Sequence, residues 1–167
     1  MAPSARRLGV IGAGNIGGAV AANLLADGHG VAVHDTDPAR TAALVRAGAV
    51  RADTPAAVAE RSEITFTSLP SPAVMEAVAQ AWLAGAARDA VLVDLSTNAP
   101  ATIRSVGQRL AAAGRHLLEA PLTGGAPGAQ ARMLVFMVGG ERDFTDIVEL
   151  MERMAGITLR IGPKADS

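Results

Sequence analysis

The sequence predicts a doubly wound α/β fold, a mostly parallel sheet with helices on both faces. Three observations carry that reading. Short apolar runs alternate with longer alanine-rich segments of helical character, and strand–helix alternation implies a parallel sheet. Interior runs such as Val91-Leu92-Val93 are continuously apolar rather than alternating, as strands buried on both faces should be. Asp37-Pro38, Thr54-Pro55 and Ser71-Pro72 each set a capping side chain before a proline at the first helical position.

Taken in order, a strand at 7–12 turns into a helix at 16–27 that stops at Gly28. A strand at 30–34 leads through Asp37-Pro38 into a helix at 38–47, stopped by Gly48. A short strand at 50–52 precedes a helix at 55–61, and a strand at 64–69 precedes a helix at 72–84 that stops at Gly85. A strand at 91–95, a helix at 99–113 stopped by Gly114, and a strand at 116–120 follow. Glycine just past an alanine-rich pattern is the usual mark of a helix end. Residues 123–132 are too short and glycine-rich for an ordinary crossover helix, so the strand at 133–139 is expected to run antiparallel to its neighbours. A helix at 143–155, stopped by Gly156, and a strand at 158–161 complete the pattern. Residues 1–167 read as one domain without a linker.

Composition narrows the function classes. The net charge is −1, with both signs scattered, so neither a nucleic-acid footprint nor a polybasic membrane patch is expected. The chain has no cysteine, which excludes disulfides, thiolate chemistry and cysteine-ligated zinc, and no metal site is expected. The first residues lead directly into a strand without a signal-peptide pattern, and no run reaches the length of a membrane span. A cytoplasmic location is the expectation.

The most informative motif is Gly12-Ala13-Gly14-Asn15-Ile16-Gly17, between the first strand and the first helix. Gly12 permits the tight turn, Gly14 lets a pyrophosphate approach the backbone, and Gly17 lets the helix pack on the strand. The free N–H groups of the helix start face the anion. Asp35, with Thr36 beside it, ends the second strand about 20 residues beyond the glycines, where an acidic group meets the ribose hydroxyls of a dinucleotide. A carboxylate there repels a 2′-phosphate, so NAD is expected in preference to NADP. The plainer readings are a structural turn for the glycines and a strand-end residue for Asp35, while Arg40 is close enough in sequence to swing toward a phosphate.

In such sheets ligands lie beyond the carboxyl ends of the strands. That edge should collect the glycine loop, Asp35-Thr36, Leu69-Pro70-Ser71, Ser96-Thr97-Asn98 and the stretch 121–128. Within the last, Thr123-Gly124-Gly125 offers one hydroxyl and two unencumbered backbone N–H groups, a cradle for a carboxylate.

With these motifs in hand, the chain resembles the dinucleotide-binding domain of the β-hydroxyacid dehydrogenases, the family of 3-hydroxyisobutyrate dehydrogenase, tartronate semialdehyde reductase and 6-phosphogluconate dehydrogenase. The resemblance rests on Gly12-Ala13-Gly14-Asn15-Ile16-Gly17 with Ala22-Asn23-Leu24-Leu25 and Gly28-His29. It continues through Leu69-Pro70-Ser71, Asp94-Leu95-Ser96-Thr97, Ala120-Pro121-Leu122-Thr123-Gly124-Gly125, Gly128-Ala129 and Met137-Val138-Gly139-Gly140. It implies a Rossmann-type fold, hydride transfer between NAD and a small hydroxy acid, and cofactor contacts at Leu69, Pro70 and Thr97. It also implies a catalytic and substrate-binding role for Thr123, with Gly124 and Gly125 holding substrate. Thr97 is otherwise a helix cap ahead of Pro100. Members of the family usually carry Asp at Glu119, Ser at Thr123 and Gly at Arg132.

Beyond Ile161-Gly162-Pro163 the family continues into an all-helical domain carrying a catalytic lysine, and Lys164 lies too early to match it. The resemblance therefore implies an N-terminal cofactor-binding domain that is inactive alone, with homo-oligomers formed by the full-length protein. Trp82 is expected in the core or at a domain contact, and Trp82 and the last strand are candidate surfaces for the helical domain to cover. His29, after a helix end where positive charge is favoured, reads as structural. His34 and His116 receive no catalytic role. The rival readings are a tartronate or succinic semialdehyde reductase of the same family, and a non-catalytic NAD-binding module. An imine reductase would leave the Thr123 cradle without a task.

Overall fold

The computed structural model describes residues 5–139 and 144–162. Gly140, Asp143 at the start of the last predicted helix, Pro163 and Lys164 lie outside the described residues.

Every predicted strand is found. β1 (Arg7–Ile11) pairs in parallel with β2 (Gly30–His34) and with β4 (Ile64–Thr67). β2 pairs with β3 (Val50–Arg51), β4 with β5 (Val91–Asp94), and β5 with β6 (His116–Glu119), all in parallel. The order β3-β2-β1-β4-β5-β6 means that the chain builds outward from β1 on one side and then returns to build on the other. The reversal between β1 and β4 is the topological switch point, where a doubly wound sheet opens a crevice for a ligand.

The helices between these strands are α1 (Asn15–Ala26), α2 (Pro38–Arg46), α3 (Pro55–Ala59), α4 (Pro72–Leu83) and α5 (Pro100–Ala112). Asp37, Thr54 and Ser71 accept from the backbone N–H groups of Ala39, Ala57 and Val74, as cap–proline pairs should. α5 differs, because Ala99 stands at its N-cap without a side-chain bond; Thr97 does not cap it. Alternate strand residues feed two cores, one on each face. Leu8, Val10, Val31, Val33, Phe66 and Val93 pack with α1 and α2, whereas Ile11, Ala32 and Leu92 pack with α3, α4 and α5. β4 and β5 are buried along their whole length: Val91-Leu92-Val93 is continuously apolar, and in β4 the alternate threonines are buried with partners, Thr65 accepting from Trp82 and Thr67 donating to Asp94.

The far end of the sheet is more elaborate than the sequence predicts. β7 (Leu122–Thr123) and a short α6 (Gly125–Gln130) occupy the stretch read as a loop, and β8 (Leu134–Gly139) runs antiparallel, as expected. β6 and β7 share one register along β8. Glu119 faces Gly139, the Pro121 carbonyl accepts from Met137 N–H, and Thr123 faces Val135. α7 (Thr145–Glu152) is shorter than predicted and β9 (Ala155–Gly162) starts earlier, pairing in parallel with β8.

Two of the predicted glycine stops have other causes. Gly28, Gly48 and Gly114 do take positive φ, but Gly156 lies inside β9. Gly85 is needed because a Cβ there would sit 2.1 Å from the Ala56 carbonyl oxygen, so α3 and the end of α4 touch backbone to backbone. Trp82 is fully buried, and its Nε1–H donates to Thr65 Oγ1 at 2.9 Å, so it is a core residue rather than a domain contact. β9 does show an apolar face, with Ile157, Leu159 and Ile161 exposed at alternate positions.

Candidate functional site

The glycine loop has the geometry its sequence implies. Gly12 takes φ +88°, and a Cβ on it would lie 2.2 Å from the Ser68 carbonyl oxygen at the end of β4. No L side chain fits there on either count. Gly17 is packed against the turn itself, since a Cβ would lie 1.8 Å from the Gly12 carbonyl oxygen. Gly14 is different: the nearest atom to its added Cβ is an Arg40 nitrogen at 3.7 Å, so the loop is open on that side. Gly14 is also the N-cap of α1, with no side-chain cap and no acidic residue in the first turn. The positive end of the α1 dipole is thus left without a capping side chain or an acidic residue of its own first turn, which suits an anion-binding helix start. Asn15 is exposed as the first residue of α1, Ile16 is half-buried and Ala13 is buried.

Asp35 stands at the end of β2, beside the loop. Its Oδ2 accepts from Ala13 N–H and its Oδ1 from Asp37 N–H, both at 2.8 Å, and its side chain is only 6% exposed. The carboxylate therefore fixes the glycine loop to the end of β2, a structural task beside the ribose-binding role read from sequence. Thr36 is exposed in the bend that follows. Arg40 reaches back over this corner, 3.9 Å from Asp35 and 3.7 Å from Asp37, with its guanidinium beside Gly14.

On the other side of the switch point, Leu69 packs on the second core and Pro70 is exposed. Leu69 N–H donates to Ser96 Oγ at 2.8 Å, which ties the loop after β4 to the loop after β5. Thr97 is exposed on that second loop. Beneath both loops lies Asp94, a fully buried carboxylate given no individual role from the sequence. Its Oδ1 accepts from Thr67 Oγ1 at 3.0 Å and from Ser96 N–H at 3.1 Å, and its Oδ2 accepts from Asn98 Nδ2 at 2.7 Å. Burial pushes its carboxyl above the ordinary carboxylate value, against the pull of its bonds to Ser96, Asn98 and Thr67. The available signal was an aspartate ending an otherwise apolar strand.

Thr123 is carried beyond the parallel strands by the β6–β7 run and is exposed. Gly124 at φ +117° and Gly125 at φ +61° turn the chain into α6, a backbone path that favours glycine at both positions. α6 lies against α1, and Asn23 Nδ2 donates to the Ala129 carbonyl at 2.9 Å. The structure thus gathers the glycine loop, Asp35, Leu69 and the Ser96–Thr97 loop through direct contacts, and joins Thr123-Gly124-Gly125 to them by way of α1. His29 is buried, with Nδ1 accepting from Arg6 N–H at 3.2 Å. Burial lowers its pKa below the ordinary imidazole value, and its bond to Arg6, just before β1, fits the structural role read from the sequence. Among the described residues no group of three His, Asp or Glu is placed to hold a metal ion, and no helix is long and apolar enough to cross a membrane.

A nine-stranded, mostly parallel sheet with an uncapped glycine-loop helix at its switch point defines a Rossmann-like dinucleotide-binding fold. Residues 7–162 match the family model of the NAD-binding domain of 6-phosphogluconate dehydrogenase, and the chain belongs to that family. The chain is 42% identical over 133 residues to 3-hydroxyisobutyrate dehydrogenase of Pseudomonas aeruginosa, covering 78% of this chain and 45% of that protein. Among solved structures, Mycobacterium tuberculosis 3-hydroxyisobutyrate dehydrogenase with L-serine superposes with a TM-score of 0.89 at 28% identity, over 96% of this chain and 55% of that one. Psf3 in complex with NADP+ and 2-OPP superposes with a TM-score of 0.84 at 30% identity, over 93% and 56%. The chain spans about half the length of the curated relatives it matches.

Proposed function

We propose that residues 1–167 form the NAD-binding domain of a cytoplasmic oxidoreductase that transfers a hydride between NAD and a small 3-hydroxy acid such as 3-hydroxyisobutyrate. The observation that carries this reading is the corner built by Gly12, Gly14, Gly17 and Asp35. There, steric need for glycine, an open backbone and an uncapped helix start coincide. The pyrophosphate lies on the Gly14 side of the loop, the adenosine ribose meets Asp35 and Thr36, and the nicotinamide half extends over Leu69, Pro70 and Thr97. Bound NAD supplies the redox chemistry, and the protein's part is to position it. Thr123 donates its hydroxyl to the substrate's carboxylate or reacting oxygen, helped by the backbone of Gly124 and Gly125. Its extra methyl, relative to serine, narrows the substrate space.

The family resemblance puts the acid–base lysine in an all-helical domain, so these residues bind the cofactor but do not complete turnover alone; the full-length protein is a homo-oligomer. The runner-up activities are tartronate or succinic semialdehyde reduction, and a non-catalytic NAD-binding module. For the cofactor, NAD is preferred because Asp35 opposes a 2′-phosphate. A second reading, NADP, is favoured by the Arg40 guanidinium beside Gly14. Calorimetric titration of this chain with NADH and with NADPH tests both. Tighter NADH binding supports the Asp35 reading, tighter NADPH binding replaces it with the Arg40 reading, and failure of both removes the cofactor assignment.

A further inference from the structure

We propose that Asp94 is a positioning residue for the nicotinamide half of the cofactor site, holding the loops after β4 and β5 in one fixed relation. The inference rests on the dinucleotide reading above. Strand order sets the geography: with the pyrophosphate at the end of β1 and the adenosine ribose on the β2 side, the remaining half of the ligand lies over β4 and β5. Thr67 and Asp94 are direct neighbours at the ends of those two strands.

Asp94 is fully buried, and no ion pair to it is found among the described residues. An unpaired buried carboxylate is costly, and an apolar side chain of similar volume would fill the space without that cost. What it does instead is gather donors from the end of β4 and from the loop after β5. Thr67 comes from β4, Ser96 and Asn98 from the loop after β5, and each reaches the carboxylate within 3.1 Å. Ser96 extends the arrangement, because its N–H donates to Asp94 while its hydroxyl accepts from Leu69 N–H at 2.8 Å. Leu69 and Thr97, two of the three candidate contacts on the nicotinamide side, are thus both tied to one carboxylate from below through Ser96. An asparagine keeps these bonds only if its NH2 faces Asn98 and that side chain turns over to present its Oδ1, and it gives up the extra strength of bonds to a charged acceptor.

The test compares NADH with ADP-ribose, which lacks the nicotinamide, on the chain and on its D94N and S96A variants, with circular dichroism checking the fold. The expected result is that D94N binds NADH about tenfold more weakly than the unaltered chain while ADP-ribose affinity stays within about twofold. S96A, which cuts the tether to Leu69 but leaves Thr67, Asn98 and the Ser96 N–H on the carboxylate, should shift NADH alone in the same direction. Equal weakening of both ligands, or of neither, in a folded variant overturns the inference. If D94N does not fold, S96A decides it alone. An unaltered chain that binds neither NADH nor ADP-ribose overturns the dinucleotide reading itself, and the inference with it.

Discussion

Arg132 donates to Asp27 at 2.9 Å while holding a left-handed backbone, φ +56°. The same guanidinium donates to the carbonyls of Asn23 and Arg153, so one side chain joins the end of α1, the turn before β8 and the end of α7. This explains how an arginine occupies a backbone conformation that favours glycine. The backbone keeps the glycine-like conformation, and the side chain's bonds offset the strain.

Replacing Arg132 by alanine should therefore cost stability, because the bonds to Asp27, Asn23 and Arg153 are lost while the left-handed strain stays. The expected loss for R132A is about 2 kcal/mol. R132G loses the same bonds but relieves the backbone, and should recover about 1 kcal/mol of that. Urea unfolding of the two variants checks the order; R132G no more stable than R132A would remove the strain from the account.

Acid should weaken the fold in two separate windows. Burial holds the His29 imidazole below its ordinary 6.5, so as pH falls through that value the unfolded chain takes up a proton that the folded chain refuses. Stability drops from there down to the lowered folded value. The Arg132 hydrogen bond holds Asp27 below its ordinary 3.8, so its contribution is complete above that value and is lost as pH falls through the lowered folded one. Urea midpoints measured from pH 8 to pH 3 should show both steps, H29Q lacking the first and D27N the second.

The three motif glycines should separate in experiment. G17A forces a Cβ into the Gly12 carbonyl and must displace α1, so both stability and NADH binding should fall, stability by about 1–3 kcal/mol. G14A meets only the flexible end of Arg40 at 3.7 Å, with extended backbone, so the ligand-free protein should keep its stability to about 0.5 kcal/mol. NADH affinity should nevertheless drop, because the methyl fills the side left open for the pyrophosphate. An unchanged calorimetric affinity for G14A would place the anion elsewhere.

Trp82 offers a check that needs no substitution. It is the one tryptophan of the chain, and its ring is closed off from solvent with Nε1–H bonded to Thr65. Its emission should be that of an apolar site, with slow acrylamide quenching. Rapid quenching would contradict its place in the core.

The parallel half of the fold was legible because each of its elements has a local signal. Cap–proline pairs mark α2, α3 and α4, and double-sided burial marks β4 and β5. The antiparallel end was legible only in its direction. β7 exists because β8 lies beside Leu122 and Thr123, a tertiary fact with no local trace, and α6 is a turn or two built on residues that are poor helix formers. Gly85 read as a helix stop because the backbone it touches at Ala56 is far away in sequence. In the candidate site, spacing alone proposes the glycine loop and Asp35, and the sheet brings them into direct contact through Ala13 N–H. Asp94 could not be given a task, because it joins Thr67 on β4 to the loop after β5, a pairing that only the sheet brings about.

The continuous register of β6 and β7 along β8 also bears on motion. The cofactor corner is seated on central parallel strands, whereas Thr123 rides on a two-residue extension secured by β8 and by the contact of α6 with α1. These supports belong to structural units of different kinds, and units of that sort open with different free energies. Amide protons of Leu122 to Gln130 should exchange sooner than those of β1, β4 and β5, so this arm can breathe while the glycine-loop corner stays closed.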